Sequence, residues 1–235
     1  MSSIFVHIGA RGGSRGIKNK NLLKINKKPL IGIAIEQAKA ANKNCKLAVS
    51  SDSMKILNFS KKYGADILIK RSKNLSNSKT SKFSVWKNSL TYLKKNYFLG
   101  LNDLFLDIDC TSPLKKVSDI KKIIKKFFNL KNKGIPFDGL ITITKARKNP
   151  YFNLLEIDKK KFLRISKKKS KEIVRRQDVP LVYEHVAGIY ALKPSFLSKK
   201  NSLFSGNIIG FEVDSISALD IDTMNDYKII KSLSK

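Results

Sequence analysis

Short apolar runs alternate with amphipathic stretches through the first half of the chain. The apolar runs predict buried strands at 4–8, 46–50, 66–69, 104–109 and 139–144. Between them, apolar positions recur at helical spacing and predict helices over 29–38, 53–63, 83–97 and 118–129. Strand, helix and strand in repetition predict a parallel sheet with helices on both faces. The loops that follow the strands then lie along one edge of that sheet.

Single residues mark several of the predicted helix boundaries. Pro29 is suited to the first turn of a helix, and Gly64 is suited to the position just after one. Ser118 is predicted to cap the helix that precedes the strand at 139–144, because a serine hydroxyl accepts a hydrogen bond from the first helical turn.

The alternation changes after Thr144. Two short runs, 151–157 and 162–165, predict paired strands around a turn at 158–160. We interpret the region of about 145–190 as an arm inserted into a single domain spanning 1–235, since the chain shows no linker and no internal repeat. Strands at 186–192 and 208–213 and a helix at 222–233 are predicted to complete the domain, and the basic run at 167–171 is interpreted as a solvated hairpin tip.

The net charge of the 235-residue chain is +30, from 48 Lys and Arg residues against 18 Asp and Glu residues. Such a charge is typical of proteins that bind nucleic acid or anionic membranes. Only seven of the basic residues are arginines, although arginine is the preferred residue for bidentate phosphate and base contacts. Two sources stay open: a genome rich in A and T, whose codons favour Lys, Asn and Ile, and a real preference for anionic ligands.

The sequence lacks the patterns typical of membrane spans, signal peptides, zinc sites and disulfide frameworks. No stretch approaches the ~20 apolar residues of a membrane span, and the first residues have no signal-peptide pattern. We therefore expect a cytoplasmic protein with no membrane partner. Cys45 and Cys110 have no metal-binding spacing, so neither a zinc site nor a disulfide framework is expected.

A glycine-rich, basic loop follows the first predicted strand. Residues 9–16 read GARGGSRG, and Lys18 and Lys20 come directly after them. Glycines let backbone N–H groups approach an anion closely, and the basic side chains add charge. The spacing matches neither the dinucleotide fingerprint nor the P-loop. The loop is interpreted as a triphosphate cradle; the alternative is a flexible loop with solvated basic residues.

Two Asp-Ile-Asp segments are the second chemical signal. Asp107 and Asp109 end a predicted strand, and Asp220 and Asp222 lie near the carboxyl end of the chain. Alternate residues on a strand point to the same face, so each segment presents two carboxylates together. Paired carboxylates suit Mg²⁺, with phosphates completing its octahedron. The alternative is that such a pair caps a turn or binds lysines.

These residues together resemble the CMP-sialic acid synthetases, also called acylneuraminate cytidylyltransferases. The resemblance begins with ARGGSRGI at 10–17 and is carried in the expected order by further segments across the chain. They are KN at 20–21, VSSD at 49–52, Arg71, TSPL at 111–114, RRQ at 175–177 and DIDT at 220–223. Within the family, DIDCTSP at 107–113 and NPYFN at 149–153 resemble most the branch that activates legionaminic acid.

The resemblance implies a mononucleotide-binding, Rossmann-like α/β fold whose inserted arm builds a homodimer. It also implies transfer of CMP from CTP to the anomeric hydroxyl of a nonulosonic acid, with Mg²⁺ as cofactor and pyrophosphate as the second product. Catalysis of this kind consists mostly of positioning and charge neutralisation.

The resemblance also implies roles for particular residues. Arg11 and Lys20 are expected to hold the triphosphate as the catalytic pair. The expected nucleotide contacts are Ala10, Arg11, Gly12, Gly13, Ser14, Lys20, Asn21 and, on the cytidine side, Arg71. The expected substrate contacts are Asp109, Thr111, Ser112, Arg176 and Gln177. The expected metal ligands are Asp220 and Asp222, with Asp109 as a third.

Some positions depart from the family pattern. Lys18 stands where a proline is usual, and Asp109 stands where an amide that could contact a sugar N-acetyl group is common. LSNS at 75–78 lacks an acid that relatives carry, and Val186 replaces an asparagine. The last two changes concern the sugar and the dimer contacts and leave the nucleotide end intact.

Several other residues admit two interpretations. His7 is predicted to be a hydrogen-bonded imidazole of the core, and Trp86 a core residue. His185 could act as a base or be structural, and the segment 145–149 could bind the sugar carboxylate or be a solvated loop. Two rival functions stay open: a nucleotidyltransferase for another acid sugar such as an octulosonate, and a nucleic-acid-binding protein. The second would need exposed stacking aromatics and more arginine.

Overall fold

The computed structural model describes residues 3–13, 16–168 and 175–234. Its strands, in chain order, are β1 Ile4–Gly9, β2 Lys24–Ile25, β3 Lys28–Pro29, β4 Lys46–Ser51, β5 Ile67–Lys70, β6 Leu104–Ile108, β7 Gly139–Lys145, β8 Leu155–Ile157, β9 Leu163–Ile165, β10 Tyr183–Leu192 and β11 Ile208–Glu212. Its α-helices are α1 Leu30–Ala41, α2 Met54–Lys62, α3 Lys82–Tyr97, α4 Val117–Asn132, α5 Pro194–Lys199 and α6 Met224–Leu233.

Seven strands form one central sheet in the order β11-β7-β10-β6-β1-β4-β5. The pairs β11–β7, β6–β1, β1–β4 and β4–β5 are parallel, and β10 runs antiparallel to both of its neighbours. Strands β1, β4 and β6 are buried along nearly their whole length, as expected for strands covered on both faces. The predicted mostly parallel α/β sheet is confirmed.

The two faces of the sheet are covered by different helices. Helices α1, α2, α4 and α6 pack on one face, and α3 and α5 pack on the other. Alternation along β1 supplies both cores, because Val6 and Ile8 pack on the first face and Phe5 packs on the second. His7 shares the second face, where it meets Ser89 of α3. Among the described residues, no helix combines the length and the apolarity that crossing a membrane requires.

The helix before β7 begins slightly earlier than the sequence predicts. Ser118 lies inside α4, and Lys116 occupies the position before the helix without a side-chain cap, so the predicted serine cap is wrong. The amide of Gln37 donates to the carbonyls of Pro113 and Lys115, at 2.8 and 2.9 Å. These long-range bonds hold the turn before the helix and start α4 at Val117. The short helix α5 is absent from the sequence prediction.

Part of the region 145–190, which we interpret as an inserted arm, belongs to the central sheet. Strand β10 pairs with β7 from Tyr183 opposite Lys145, so 183–192 belongs to the central sheet. Within the arm, β8 and β9 form their own antiparallel pair, as predicted, with Leu155 opposite Ile165. Residues 152–154 form a turn instead of a strand, since their N–H groups all donate to the carbonyl of Asn149. Part of the basic run at 167–171 lies outside the described residues.

A buried lysine closes the turn between β6 and α4. Lys115 is 5% exposed, and its Nζ donates to the carbonyl of Ser112 at 2.6 Å. Burial lowers the pKa of Lys115 to about 8, and the nearby Cys110 and Asp109 offset only part of this effect. A lysine with a lower pKa in the folded state destabilises that state most below the folded pKa, where it carries a buried charge.

We expect Lys115→Met to raise the free energy of unfolding near neutral pH. The gain should be at most about 3 kcal/mol, reduced by the stability that the lost hydrogen bond contributes. The advantage should shrink as the pH rises from about 8 toward 10.5, because the folded wild-type chain sheds its proton while the unfolded chain keeps it. Urea unfolding across this range measures the difference, with the exposed Lys121→Met as matched control. A difference that does not vary with pH would contradict the prediction.

Candidate active site

A cavity of about 450 Å³ opens at the edge of the sheet where β1, β5 and β6 end. Its walls are the glycine-rich loop, the segment 71–80 after β5, the start of α3, the residues after β6 and the acidic segment before α6. Open α/β sheets bind ligands outside the carboxyl ends of their strands. The strand and helix order predicted a site at this edge, and the cavity lies there.

The glycine-rich loop is held in place from two sides. The N–H of Gly12 donates to Asp52 Oδ1 at 2.8 Å, from the end of β4. The side-chain amide of the buried Asn21 donates to the carbonyl of Arg11 at 3.0 Å, from the far end of the loop. Arg11 and Asn21 both line the cavity. The loop therefore presents Arg11 to a ligand from an anchored backbone.

The carboxyl-terminal acidic segment meets the same loop. Lys20 Nζ donates to the carbonyl of Ile221 at 2.6 Å and lies 3.0 Å from Asp222 Oδ1. The N–H of Ile221 donates to the carbonyl of Thr111 at 2.9 Å. Lys20, Thr111 and Asp222 all line the cavity. These contacts bring together residues 200 positions apart in the sequence, as the resemblance implied.

Gly16 packs directly against the acidic segment. A Cβ placed on Gly16 would lie 2.6 Å from the carbonyl oxygen of Asp222, which is too close for the backbone to tolerate without a shift. A displacement of about 1 Å at an active site lowers turnover by up to about 100-fold. We therefore expect Gly16→Ala to lower kcat at least about tenfold with little change in melting temperature. Steady-state kinetics checks this against Gly100→Ala, where the added Cβ makes an ordinary 3.5 Å contact, and equal activity of the two variants would contradict it.

Asp220 and Asp222 oppose each other electrostatically. Burial and the charge of Asp222 raise the pKa of Asp220, and Lys20 counteracts them in part. A divalent cation relieves such repulsion between carboxylates. Within 3–13, 16–168 and 175–234, no three His, Cys, Asp or Glu side chains gather into a metal-binding group. Two carboxylates with substrate phosphates are nevertheless a usual way to bind Mg²⁺.

Arg71 is a buried cation at the cavity wall. Arg71 is 7% exposed, and its backbone N–H donates to the carbonyl of Ser51 at 2.9 Å. Burial lowers the pKa of Arg71, with Asp52 opposing and Arg11 reinforcing the effect. Its Nε finds no hydrogen-bond partner in the described part of the chain. A buried, incompletely paired guanidinium is costly unless a ligand supplies acceptors.

A buried histidine and aspartate lie beneath the cavity. His7 Nδ1 is 2.5 Å from Asp107 Oδ1, and His7 Nε2 is 3.0 Å from the hydroxyl of Ser89. Burial opposes ionisation of Asp107, yet Lys82 and His7 outweigh burial and hold the pKa of Asp107 below its ordinary value. The prediction that His7 is a hydrogen-bonded core imidazole is confirmed.

Lys82 joins the first Asp-Ile-Asp segment to the cavity. Its Nζ lies 3.0 Å from Asp107 Oδ2, contacts the carboxylate of Asp109 and stands 4.2 Å from the ring centre of Tyr190. Asp107 and Asp109 thus share a face, as their spacing predicts. Of the two interpretations left open for this pair, the structure shows the binding of a lysine.

Other predicted contacts lie away from the cavity surface. Ala10 is buried, and Gly13 is exposed outside the cavity lining. Ser112 is buried and its hydroxyl donates to the carbonyl of Ala187, which ties the turn after β6 to β10. Ser14 lies outside the described residues. We therefore leave Ser112 out of the substrate contacts proposed below.

The arm residues occupy a separate concavity. Gln177 lines a cavity of about 460 Å³ with residues of 145–153 and 179–182. Arg176 starts the short turn Arg176–Asp178, and of Arg176 only the backbone is described. His185 is an exposed residue whose ring contacts Tyr190 and Phe204, and this partial burial together with Lys82 lowers its pKa despite the opposing charge of Asp109. The neutral form this favours keeps both interpretations of His185 open.

Several residues that line or support the cavity escaped the sequence prediction of the site. Among them are Lys82, Asp52, which binds the glycine-rich loop, and Trp86, which is buried as predicted but also lines the cavity. A signal for Lys82 existed, because α3 begins with a lysine and has no acid in its first turn. A cation at that end of a helix is unfavourable without a partner from elsewhere in the fold.

Cations at an anchored glycine-rich loop, facing acids across a cavity at the carboxyl edge of an α/β sheet, define the class of the mononucleotide-binding nucleotidyltransferases. The chain belongs to the cytidylyltransferase family, whose model matches residues 6–235.

Individual relatives agree with this assignment. The chain is 37% identical to post-translational flagellin modification protein B of Campylobacter coli, over 100% of this chain and 96% of the relative. It is also 37% identical to the CMP-N,N'-diacetyllegionaminic acid synthase of Campylobacter jejuni, over 99% of this chain and 95% of the relative. A CMP:2-keto-3-deoxy-manno-octonic acid synthetase solved with CTP has the same fold, with a TM-score of 0.68 at 16% identity over 99% of this chain and 98% of the other.

Proposed function

We propose that this enzyme transfers CMP from CTP to the anomeric hydroxyl of a nonulosonic acid of the legionaminic type. The observation that carries the proposal is the convergence of Arg11, Lys20 and Arg71 with Asp222 around one cavity. Similarity over nearly full length to a CMP-N,N'-diacetyllegionaminic acid synthase supports the choice of acceptor.

The three cations are proposed to contact different parts of CTP. Arg11 and Lys20 stand at the glycine-rich loop, where they would neutralise the β- and γ-phosphates. Arg71 lies at the cavity in the segment after β5, where its unpaired Nε supports contacts with acceptor atoms of the cytidine. In the reaction the anomeric oxygen forms a bond to the α-phosphorus, and the bond from that phosphorus to the bridging oxygen breaks. The leaving pyrophosphate takes up the negative charge that Arg11 and Lys20 stabilise.

Asp220 and Asp222 are the residues proposed to hold Mg²⁺. The raised pKa of Asp220 beside Asp222 supports this assignment, because the two carboxylates repel each other without a cation. When bound, Mg²⁺ neutralises phosphate charge and orients the phosphates for in-line attack. Asp109 and Asp222 each pair with a lysine, but the Asp109 side chain is 17% exposed and the Asp222 side chain is 74% exposed, so we assign Asp222 and not Asp109 to the metal.

We also propose that the arm joins two copies of the chain. Apolar side chains of the β8–β9 hairpin are exposed, including Ile157 at 70%, Phe162 at 58% and Leu163 at 62%. Clusters of this kind mark protein interfaces. We expect a homodimer by sedimentation, acting in the cytoplasm because CTP is a cytoplasmic metabolite, without a nucleic-acid or membrane partner.

Pyrophosphate release tests the proposed reaction. The protein is incubated with Mg²⁺, with each of CTP, UTP, ATP and GTP, and with a panel of nonulosonic and octulosonic acids. We expect release with CTP and a legionaminic acid, and none after chelation of Mg²⁺. Faster release with an octulosonic acid would assign the enzyme to another acid sugar, and no release with any pair would reject the function.

A further inference from the structure

Lys82 occupies an unusual position for a lysine. It is the first residue of α3, whose N-cap is Ser81 and whose first turn contains no acid. The positive end of a helix dipole disfavours a cation at this position. Two carboxylates from the end of β6, those of Asp107 and Asp109, compensate for it. The placement of Lys82 therefore depends on the residues beneath the cavity.

Asp107, the buried ion-pair partner of Lys82, is held in place by core residues. Asp107 is fully buried and held by His7, which in turn meets the hydroxyl of the buried Ser89 and stacks on Phe105. Rings of Trp86 and Tyr190 flank the ammonium at 5.5 and 4.2 Å. Buried hydrogen bonds and an ion pair linked in this way restrict the motion of the side chains that form them. Lys82 consequently has a defined position, set from below and from the side.

Asp109, the second ion-pair partner of Lys82, faces the cavity. Asp109 lines the cavity, and its side chain is 17% exposed. The triphosphate cannot lie against this carboxylate, because like charges repel; it belongs with Arg11 and Lys20 at the glycine-rich loop. Asp109 is thus available to contact the acceptor sugar. An ionised carboxylate only accepts hydrogen bonds, so it would contact an N–H or O–H group of that sugar.

We propose that Lys82 is a positioning residue for acceptor specificity, which holds the Asp109 carboxylate in place to accept a hydrogen bond from an N–H or O–H donor of the acid sugar. The inference rests on the proposed function and deepens it. Lys82 also neutralises one of two adjacent carboxylates, which lowers the repulsion that an acidic sugar meets at this wall. Without Lys82, Asp107 keeps His7 as its partner, whereas Asp109 loses its ion pair.

Steady-state kinetics with the proposed acid sugar and CTP tests the role. Lys82→Gln should raise the KM for the sugar at least about tenfold, as expected when a specific polar contact is lost, with the KM for CTP and kcat changed less than about threefold. Lys82→Arg, which keeps the charge, should restore most of the sugar affinity. Lys87→Gln is the matched control: it removes another lysine of α3, whose Nζ contacts Asn201 outside the cavity.

A double-mutant cycle separates positioning from a direct or structural role. If Lys82 acts through Asp109, Lys82→Gln should change the sugar KM less than about twofold in an Asp109→Asn background. Additive effects, an unchanged sugar KM, or equal losses for sugar and CTP would each overturn the inference. If Lys82→Gln does not fold, the comparison of Lys82→Arg with Asp109→Asn decides: selective loss of sugar affinity in Asp109→Asn alone supports the inference, and its absence overturns it.

Assays of the wild-type enzyme distinguish failure of the role proposed for Lys82 from failure of the proposed function. Wild-type pyrophosphate release with CTP and an acid sugar, combined with an unaltered Lys82→Gln variant, would overturn only this inference. No release by the wild-type enzyme with any acid sugar would overturn the proposed function and this inference with it.

Discussion

Asp222→Asn is expected to lower Mg²⁺-dependent turnover at least about 100-fold, the size of effect seen when a charge-stabilising group is lost from an active site. The physical reason is that the variant leaves Asp220 as the sole carboxylate of the pair. Half-saturation by Mg²⁺ should also require a higher concentration. The melting temperature should change little, because the Asp222 side chain is 74% exposed.

The matched control for this variant is Glu212→Gln on the edge strand β11. Glu212 is an exposed acid outside the cavity, 3.7 Å from Lys145, so its neutralisation should leave the Mg²⁺ titration unchanged. Titration of pyrophosphate release with Mg²⁺ measures both variants. An Asp222→Asn enzyme with a wild-type titration would remove Asp222 from the metal site.

Lys20→Met is expected to have the second largest effect. Lys20 stands between the glycine-rich loop and Asp222, where a phosphate would replace or share its present contacts. We expect kcat to fall about 100-fold and the KM for CTP to rise about tenfold, because a point charge next to the leaving group is lost. Loss of the bond to the Ile221 carbonyl should cost about 1 kcal/mol of folding stability.

Lys18→Met supplies the comparison for Lys20, since Lys18 is an exposed lysine of the same loop that does not line the cavity. Both variants have the same net charge, so a general electrostatic effect of the basic chain would act on them equally. Kinetics as a function of CTP concentration distinguishes them. Similar CTP affinity in the two variants would show that Lys20 has no special place at the triphosphate.

Much of the site was accessible from the sequence because its residues follow predicted strands. The glycine-rich loop follows β1, and Asp109 and Thr111 follow β6, so parallel pairing brings them to one edge. The DIDT segment was predicted to join them from its paired carboxylates and from the resemblance. No local pattern places residues 220–223 beside Lys20; the hydrogen bond from Ile221 to Thr111 does so.

Other features depend on partners that come from distant parts of the chain. Lys82 reads as one of many lysines in a chain of charge +30, and its role follows from two carboxylates contributed by a different strand. The strand predicted at 186–192 starts earlier for a similar reason. Strand β10 begins at Tyr183 because β7 offers it a partner, and the propensity of residues 183–185 alone does not reveal that.

The sequence by itself determined the order of strands and helices, the edge at which the loops meet and the chemistry of the glycine-rich loop, because these depend on periodicity and local residue type. Only the tertiary structure decided which lysine each acid faces. Asp107 and Asp109 share the Asp-Ile-Asp pattern with Asp220 and Asp222, yet the first pair lies under the start of α3 and binds Lys82. The partners of a charged side chain are set by the elements that pack beside it, and sequence spacing carries no information about those elements.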